Sequence, residues 1–244
     1  MPGSHFFRHN RPLGHDLVDP EGRPARPVDA ASLILVRTGS DGPEVLMGRR
    51  HRKARFVPDA FVFPGGKVDA ADRMARPARP LDPAHPPRMA VRNSEAFARA
   101  LAMAAVRETF EETGLMLGAP GDPGSERRTV AAHPSWAEIA AAGTAPDLSV
   151  LAYAGRAIPP PYSPPRFHAR FFLADASAAT GTLGGSGELS DLAWYPIAHA
   201  LGTLPMVDVT EFMLGEVRRH AEGQAQDPPL FAYRRNVPYV RYGG

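Results

Sequence analysis

The sequence predicts an α+β domain built around a mixed β-sheet. Three observations carry that expectation. Short apolar runs, some alternating with polar residues at period two, are separated by Gly, Pro, Asp and Ser clusters. One long stretch, 95–113, is almost unbroken helix former. Strand-like and helix-like segments then intermix without regular βαβ spacing, and there is no internal repeat.

Along the chain, residues 1–29 are rich in Pro, Gly, His and Arg and read as an irregular arm. Two apolar runs flanking "TGSDGPE" predict a hairpin with strands near 31–37 and 44–50. A short aromatic strand, "AFVF", then enters the turn Pro64-Gly65-Gly66. Residues 73–93 hold five prolines and five arginines with no apolar period, which predicts an irregular insertion outside the core. Ser94 is the expected N-cap and Gly114 the residue past the end of the 95–113 helix. That helix is apolar or alanine around most of its circumference, so burial between layers is expected. A short helix at 135–142, a strand in "LSVLAYAGRAIP", a rigid loop in "PPPYSPP" and an alternating strand in "RFHARFFLAD" follow. "LAWYPIAHAL" leads a strand into a helix, 209–221 is the last helix, and the tail from Gln224 reads as irregular. The domain plan is therefore an arm at 1–29, one domain at 30–222 with the insertion 73–93, and a tail at 223–244.

The 244 residues suffice for a sizeable core, with a hydrophobic fraction of 43%. The net charge of +2 does not point to nucleic acid as a partner. The chain has no cysteine, which excludes disulfides, thiolate metal sites and cysteine nucleophiles. No 18-residue apolar run or signal-peptide pattern is present, so the expectation is a soluble cytoplasmic protein without a membrane partner.

The chemistry concentrates in "RETFEETG", residues 107–114. Glu108, Glu111 and Glu112 occupy positions i, i+3 and i+4, on one face of the helix. They also crowd its C-terminus, where the helix dipole makes each carboxylate unfavourable by roughly 0.3–1 kcal/mol. On spacing alone two readings stand. One is a solvated acidic helix end paired with Arg107. The other is a site for a hard divalent cation with oxygen ligands.

"FVFPGGKVDAAD" followed by "RETFEETGL" resembles the Nudix box, G-x5-E-x7-R-E-U-x-E-E-x-G-U with U aliphatic. Gly66 matches its first glycine, and Arg107, Glu108, Glu111, Glu112, Gly114 and Leu115 match its second half in register. The chain departs from it in three ways. Asp72 replaces the first glutamate, Thr109 stands at an aliphatic position, and 34 residues rather than seven separate Asp72 from Arg107. An interrupted box of this kind is similar to the Nudix branch containing peroxisomal coenzyme A diphosphatases and bacterial relatives. "RRHRKARFVPDAFVFPGGKVDAADR" and "PPRFHARFFLAD" add to that likeness.

The resemblance implies an α/β/α sandwich and metal-dependent hydrolysis of a nucleoside diphosphate linked to another moiety. The substrate class it implies first is coenzyme A or acyl-coenzyme A. ADP-ribose, dinucleotides or nucleotide sugars are the alternative, and a non-catalytic nucleotide-binding module is the alternative of another class. It implies Mg2+ or Mn2+ held by Glu111, Glu112 and the Gly65 carbonyl, with Glu108 as a third ligand or the general base. Arg107, Asp72, Gly66 and Gly114 would shape the site, and Glu188 in "GGSGELSDLAW" is the candidate for a distant acid or base, a solvated loop glutamate being the other reading. Arg50 and Arg52, in the basic run 49–55, and Arg166 and Arg170, on the polar face of "RFHARFF", are the candidate substrate-binding residues. The expected partner is a small nucleoside diphosphate derivative, and a homodimer is the assembly this leaves open.

Overall fold

The computed structural model of the chain describes residues 26–52, 57–92, 94–160, 166–235 and 237–243. Most of the expected arm, residues 1–25, lies outside that set, as do Lys53 and Arg55 of the basic run and residues 161–165 of the proline loop. The sheet starts at Val28, within the segment expected to be irregular.

Strands β1 (Val28–Gly39) and β2 (Gly42–Arg50) form the expected hairpin, closed at Gly39↔Gly42, where Gly42 takes a φ of 109°. Two short strands, β3 (Phe61–Val62) and β4 (Gly65–Lys67), pair with β2 and β1 respectively. Helix α1 (Ala70–Met74) follows, and α2 (Glu95–Thr113) is the long helix. Next come β5 (Leu115–Met116), β6 (Gly118–Pro120), α3 (Arg128–Ala131), α4 (Pro134–Ala141) and β7 (Thr144–Pro146). The chain returns to the main sheet through β8 (Ala152–Ala157) and β9 (Phe167–Asp175). After β10 (Thr180–Gly181) come β11 (Leu189–Pro196), α5 (Ile197–Thr203) and α6 (Asp208–Ala221). Strands β12 (Pro229–Arg234) and β13 (Val237–Tyr242) end the described chain.

The main sheet runs β11-β2-β1-β9-β8-β12-β13, with β3 and β4 attached to β2 and β1. It is mixed: β1 pairs parallel with β9, β8 parallel with β12, and the other neighbours are antiparallel. As a central strand, β1 is apolar on both faces. Its Leu33 and Leu35 join the core under α2, while Ile34 joins the core under α5 and α6. Helices therefore cover both faces, which is the expected α+β sandwich.

Helix α2 is capped as the sequence implied. The Ser94 hydroxyl accepts the Phe97 N–H at 3.2 Å, and Gly114, at φ 73°, donates its N–H to the Phe110 carbonyl at 2.8 Å. Ala98, Leu101, Met103, Ala105 and Val106 are all fully buried, so α2 has no solvated side over its middle turns. Its outer face is covered by α1, α4 and the proline-rich insertion.

Two expectations change. Residues 73–93 are largely irregular, apart from the end of α1 and a single 3-10 turn at Pro86–Arg88, but they are not peripheral. Ala75, Met89 and Val91 sit in the core against α2, because prolines forbid helix without forbidding burial. The tail from Gln224 is not irregular either. Its β12 buries Leu230, Phe231 and Ala232 and satisfies the otherwise open edge of β8. Prolines at 229 and 238 hide this hairpin in the sequence.

Candidate active site

Glu108, Glu111 and Glu112 reach one end of α2, yet they do not converge on one point. Glu112 is 6% exposed and accepts the Gly65 N–H at 2.9 Å. The Glu108 carboxylate lies against Gly66, where any Cβ would collide with it. Glu111 turns the other way, accepting from Arg107 Nη1 at 3.0 Å and from Ser135 Oγ at 2.5 Å. Among the described residues, no three His, Asp or Glu side chains stand close enough to share one ion as they are placed. The periodicity gave a common face, and the hydrogen-bond partners then divided it.

Arg107 organises this division. It is 2% exposed, and its Nε and Nη2 donate to the two oxygens of Asp72 at 2.8 and 3.0 Å. Nη2 also donates to the Lys67 carbonyl at 3.0 Å and lies 3.0 Å from Glu108 Oε1. Asp72 is fully buried and accepts two further bonds, from the Asp69 N–H at 2.7 Å and Trp136 Nε1 at 3.1 Å. The shorter carboxylate thus fills the place of the box's first glutamate. The insertion leaves and returns without disturbing it, since Asp72 sits on α1, before the irregular segment begins.

The electrostatics single out two of the glutamates. Burial pushes Glu112 up to about 8; Glu108 and Glu188 add to the rise, while the Gly65 N–H and Arg50 oppose it. Burial pushes Glu108 up to about 7, with Arg107 pulling it back and Glu111 adding to it. Two carboxylates with raised pKa values, Glu112 buried and Glu108 half-buried, form an oxygen donor set suited to a hard divalent cation, whose charge would hold both ionised. Gly65 and Gly66 form a wall that only glycine allows: at Gly65, φ 158°, a Cβ would strike Ser32 and Ala31.

The helix-end penalty has a second answer that the sequence did not disclose. Residues 182–187 fold over the C-terminus of α2. Gly184 and Ser186 donate their N–H groups to the Thr113 and Glu111 carbonyls at 2.9 and 3.2 Å. A Cβ at Gly185 would strike the Glu112 carbonyl, and one at Gly114 would come within 2.6 Å of the Thr182 carbonyl. These amides satisfy the orphan carbonyls of the last turn. The run of glycines at 181, 184, 185 and 187 was the available signal. Glu188 emerges from this loop, exposed, directly before β11.

The candidate substrate arginines fare differently. Arg50 ends β2, close enough for its charge to be felt by Glu112. Arg52 is exposed, its Nε 3.3 Å from Asp59 Oδ1. Arg166 is half-buried and donates to the Pro159 carbonyl at 3.1 Å. Arg170 contradicts its expected role. It is 1% exposed and donates to Asp29 at 2.5 Å and to the His168, Met89 and Ala90 carbonyls at 2.9, 3.2 and 3.5 Å. Alternation placed it on a polar face, but the insertion closes over that face.

No protein-family model matches the chain. Among curated proteins, it is 37% identical over 99 residues to an acyl-coenzyme A diphosphatase, NUDT19, of Gallus gallus, covering 32% of this chain and 26% of that protein. For the Xenopus laevis NUDT19 the identity is 33% over 106 residues, covering 34% and 27%. The match thus spans about a quarter of the length of these relatives. Among solved structures, a NUDIX hydrolase from Alicyclobacillus acidocaldarius superposes with a TM-score of 0.61 at 30% identity, over 79% of this chain and 91% of that one. A shared sheet, a box completed by Asp72 and Arg107, and identity sustained over nearly all of a solved relative lead to one conclusion: the chain belongs to the Nudix hydrolase family.

Proposed function

We propose that this Nudix pyrophosphohydrolase acts on coenzyme A or an acyl-coenzyme A, releasing adenosine 3′,5′-bisphosphate and the phosphopantetheine product. The identity to acyl-coenzyme A diphosphatases is the single observation that favours this substrate over other pyrophosphates. Glu108, Glu112 and the Gly65 carbonyl would hold Mg2+ or Mn2+, and Glu111 would join them by turning from Arg107 and Ser135; the neighbouring Glu108 and Glu112 with their raised pKa values support this assignment. Bound there, the ion would neutralise phosphate charge and activate water.

The chain's own residues do the rest. Arg107, held by both oxygens of Asp72, fixes Glu108 and Glu111 in place. Glu108 or Glu188 accepts the proton of the attacking water as the bridging P–O bond breaks. Arg50 meets the charge of the pyrophosphate, and Arg52 and Arg166 meet the 3′-phosphate that coenzyme A carries on its ribose.

A hydrolysis panel with Mg2+ tests this reading. Coenzyme A and acyl-coenzyme A are expected to turn over faster than ADP-ribose and NADH, and EDTA is expected to abolish all turnover. A clear preference for ADP-ribose would remove the coenzyme A assignment while leaving the pyrophosphatase chemistry.

A further inference from the structure

A groove lies one step around α2 from the carboxylates. It is an open recess of about 340 Å3 between the last turn of α2, the outer side of α4 and the strand pair β5–β10. Phe110, Met116, Ile139 and Ala142 give it an apolar wall. Gly114 and Gly181 pack backbone to backbone at its end, where a Cβ on Gly181 would strike the Gly114 carbonyl. Glu138 is the one charged residue among the described residues that line it, so no cation faces the groove. Thr144 and Thr180 are its remaining polar points. Their hydroxyls already donate to the Ala119 and Met116 carbonyls, at 3.0 and 3.3 Å, so what they offer a ligand is lone pairs.

The groove adjoins the site along α2, along α4 and through a loop. At about 3.6 residues per turn, Glu111 lies around the α2 axis between Glu108 on one side and Phe110 and Gly114 on the other. On α4, Glu138 and Ile139 follow Ser135, the partner of Glu111, by one turn and share its face. The glycine loop leaves the groove at Thr180 and Gly181, crosses the end of α2, and ends at Glu188, whose charge reaches Glu112. We infer that this groove receives the acyl chain of an acyl-coenzyme A, with the pantetheine amide N–H groups toward Thr144 and Thr180. The inference rests on the coenzyme A reading and divides that substrate between two surfaces. Its phosphates need cations, which Arg50, Arg52 and Arg166 supply and the groove does not. Its acyl end is neutral and apolar and its amides are donors, which suits an uncharged wall with two hydroxyl acceptors. The helix end to be crossed is about 10 Å wide with its side chains, within reach of an extended pantetheine arm.

The test measures hydrolysis by the full chain, with Mg2+, of coenzyme A and of its acetyl, butyryl and octanoyl thioesters. KM is expected to fall about 10-fold or more from acetyl to octanoyl, because each buried methylene adds to binding, while kcat stays nearly level. Ala142→Trp fills the groove from an exposed position. Its penalty is expected to grow with chain length, reaching about 10-fold in KM for the octanoyl thioester. Glu138→Trp blocks the groove one turn earlier, also from an exposed position, and is expected to behave alike. Octanoyl-pantetheine, which lacks the nucleotide half, gives a readout without turnover. In EDTA it is expected to raise the melting temperature of the unaltered chain and not that of either variant. A KM that ignores chain length while coenzyme A is cleaved would overturn the groove assignment and leave the coenzyme A reading standing. A chain-length effect that both variants leave intact would do the same. Failure to cleave coenzyme A or any of its thioesters would remove that reading, and the groove assignment with it.

Discussion

Arg107 and Arg170 are both buried arginines paired with an aspartate, and they do opposite things. Arg107 faces Asp72, Glu108 and Glu111. Burial works against its charge, but those three carboxylates outweigh burial and hold its pKa above the usual range. Arg170 faces a single carboxylate, Asp29, and otherwise backbone carbonyls; burial is not fully offset, and its pKa lies below the usual range. Asp72 is fully buried, whereas the Asp29 side chain is 36% exposed. An excess of acid around one buried arginine marks a place where further positive charge belongs. An arginine matched to one half-exposed acid and to loop carbonyls marks a staple, here between β9 and the insertion. Burial alone separates neither case.

Removing each guanidinium sharpens the contrast. Arg107→Met leaves Asp72 as an uncompensated buried charge, and urea unfolding is expected to show a loss of about 3–5 kcal/mol. Hydrolysis should fall with it by about 10- to 100-fold. The double variant Arg107→Met, Asp72→Leu should recover much of that stability without recovering activity, because the packing is repaired and the tether to Glu108 and Glu111 is not. Equal activity loss without any stability loss would mean that the Arg107–Asp72 pair is solvated rather than buried.

Glu112→Gln isolates chemistry from stability. Its carboxylate is buried, so the amide should leave the unfolding midpoint unchanged or raise it, while turnover falls by orders of magnitude. Arg170→Met is expected to be milder than Arg107→Met, roughly 1–3 kcal/mol, because Asp29 can turn to water. The kcat should persist in that variant, and limited proteolysis should now cut near Met89–Arg92. Loss of kcat equal to that of Arg107→Met would erase the distinction between the two arginines.

Much of this plan was legible before the structure, and the misses share a cause. The α2 boundaries follow from Ser94 and Gly114, because capping is local chemistry. Glu108, Glu111 and Glu112 stand out by helical spacing, which is also local, and the resemblance to the Nudix box adds Gly66, Asp72 and Arg107 across the insertion. Arg170 was misassigned because alternation gives a face and says nothing of what later covers it. Ser135 and Trp136 were missed because a serine and a tryptophan become hydrogen-bond donors to Glu111 and Asp72 only when α4 docks on α2. The β12–β13 hairpin was missed because its pairing with β8 joins residues more than 70 positions apart, such as Arg156 and Leu230.

Asp208 extends the comparison to a buried acid with no arginine at all, and it gives the smallest expected effect. It opens α6 at 9% exposure; Oδ1 accepts the Val209 N–H at 2.7 Å, and Oδ2 has no partner among the described residues. Burial pushes its pKa up to about 6, the Val209 N–H opposes that rise, and Glu211 adds to it. A carboxyl whose pKa is raised by folding favours the fold while it is protonated. Its contribution is therefore fully present below its ordinary value of 3.8 and is lost as pH rises through about 6. Asp208→Asn does not titrate. Relative to wild type it should show little difference near pH 4, gain between pH 4 and 6, and level off above pH 6. A tenfold change in acidity between the folded and unfolded chain corresponds to about 1.4 kcal/mol. The plateau should be on the order of 1–2 kcal/mol, because solvent and Glu211 relax as Asp208 ionises. Unfolding free energies across pH 4–8 check the form of the curve. A difference that stays constant with pH would mean that the penalty at Asp208 is packing and not charge.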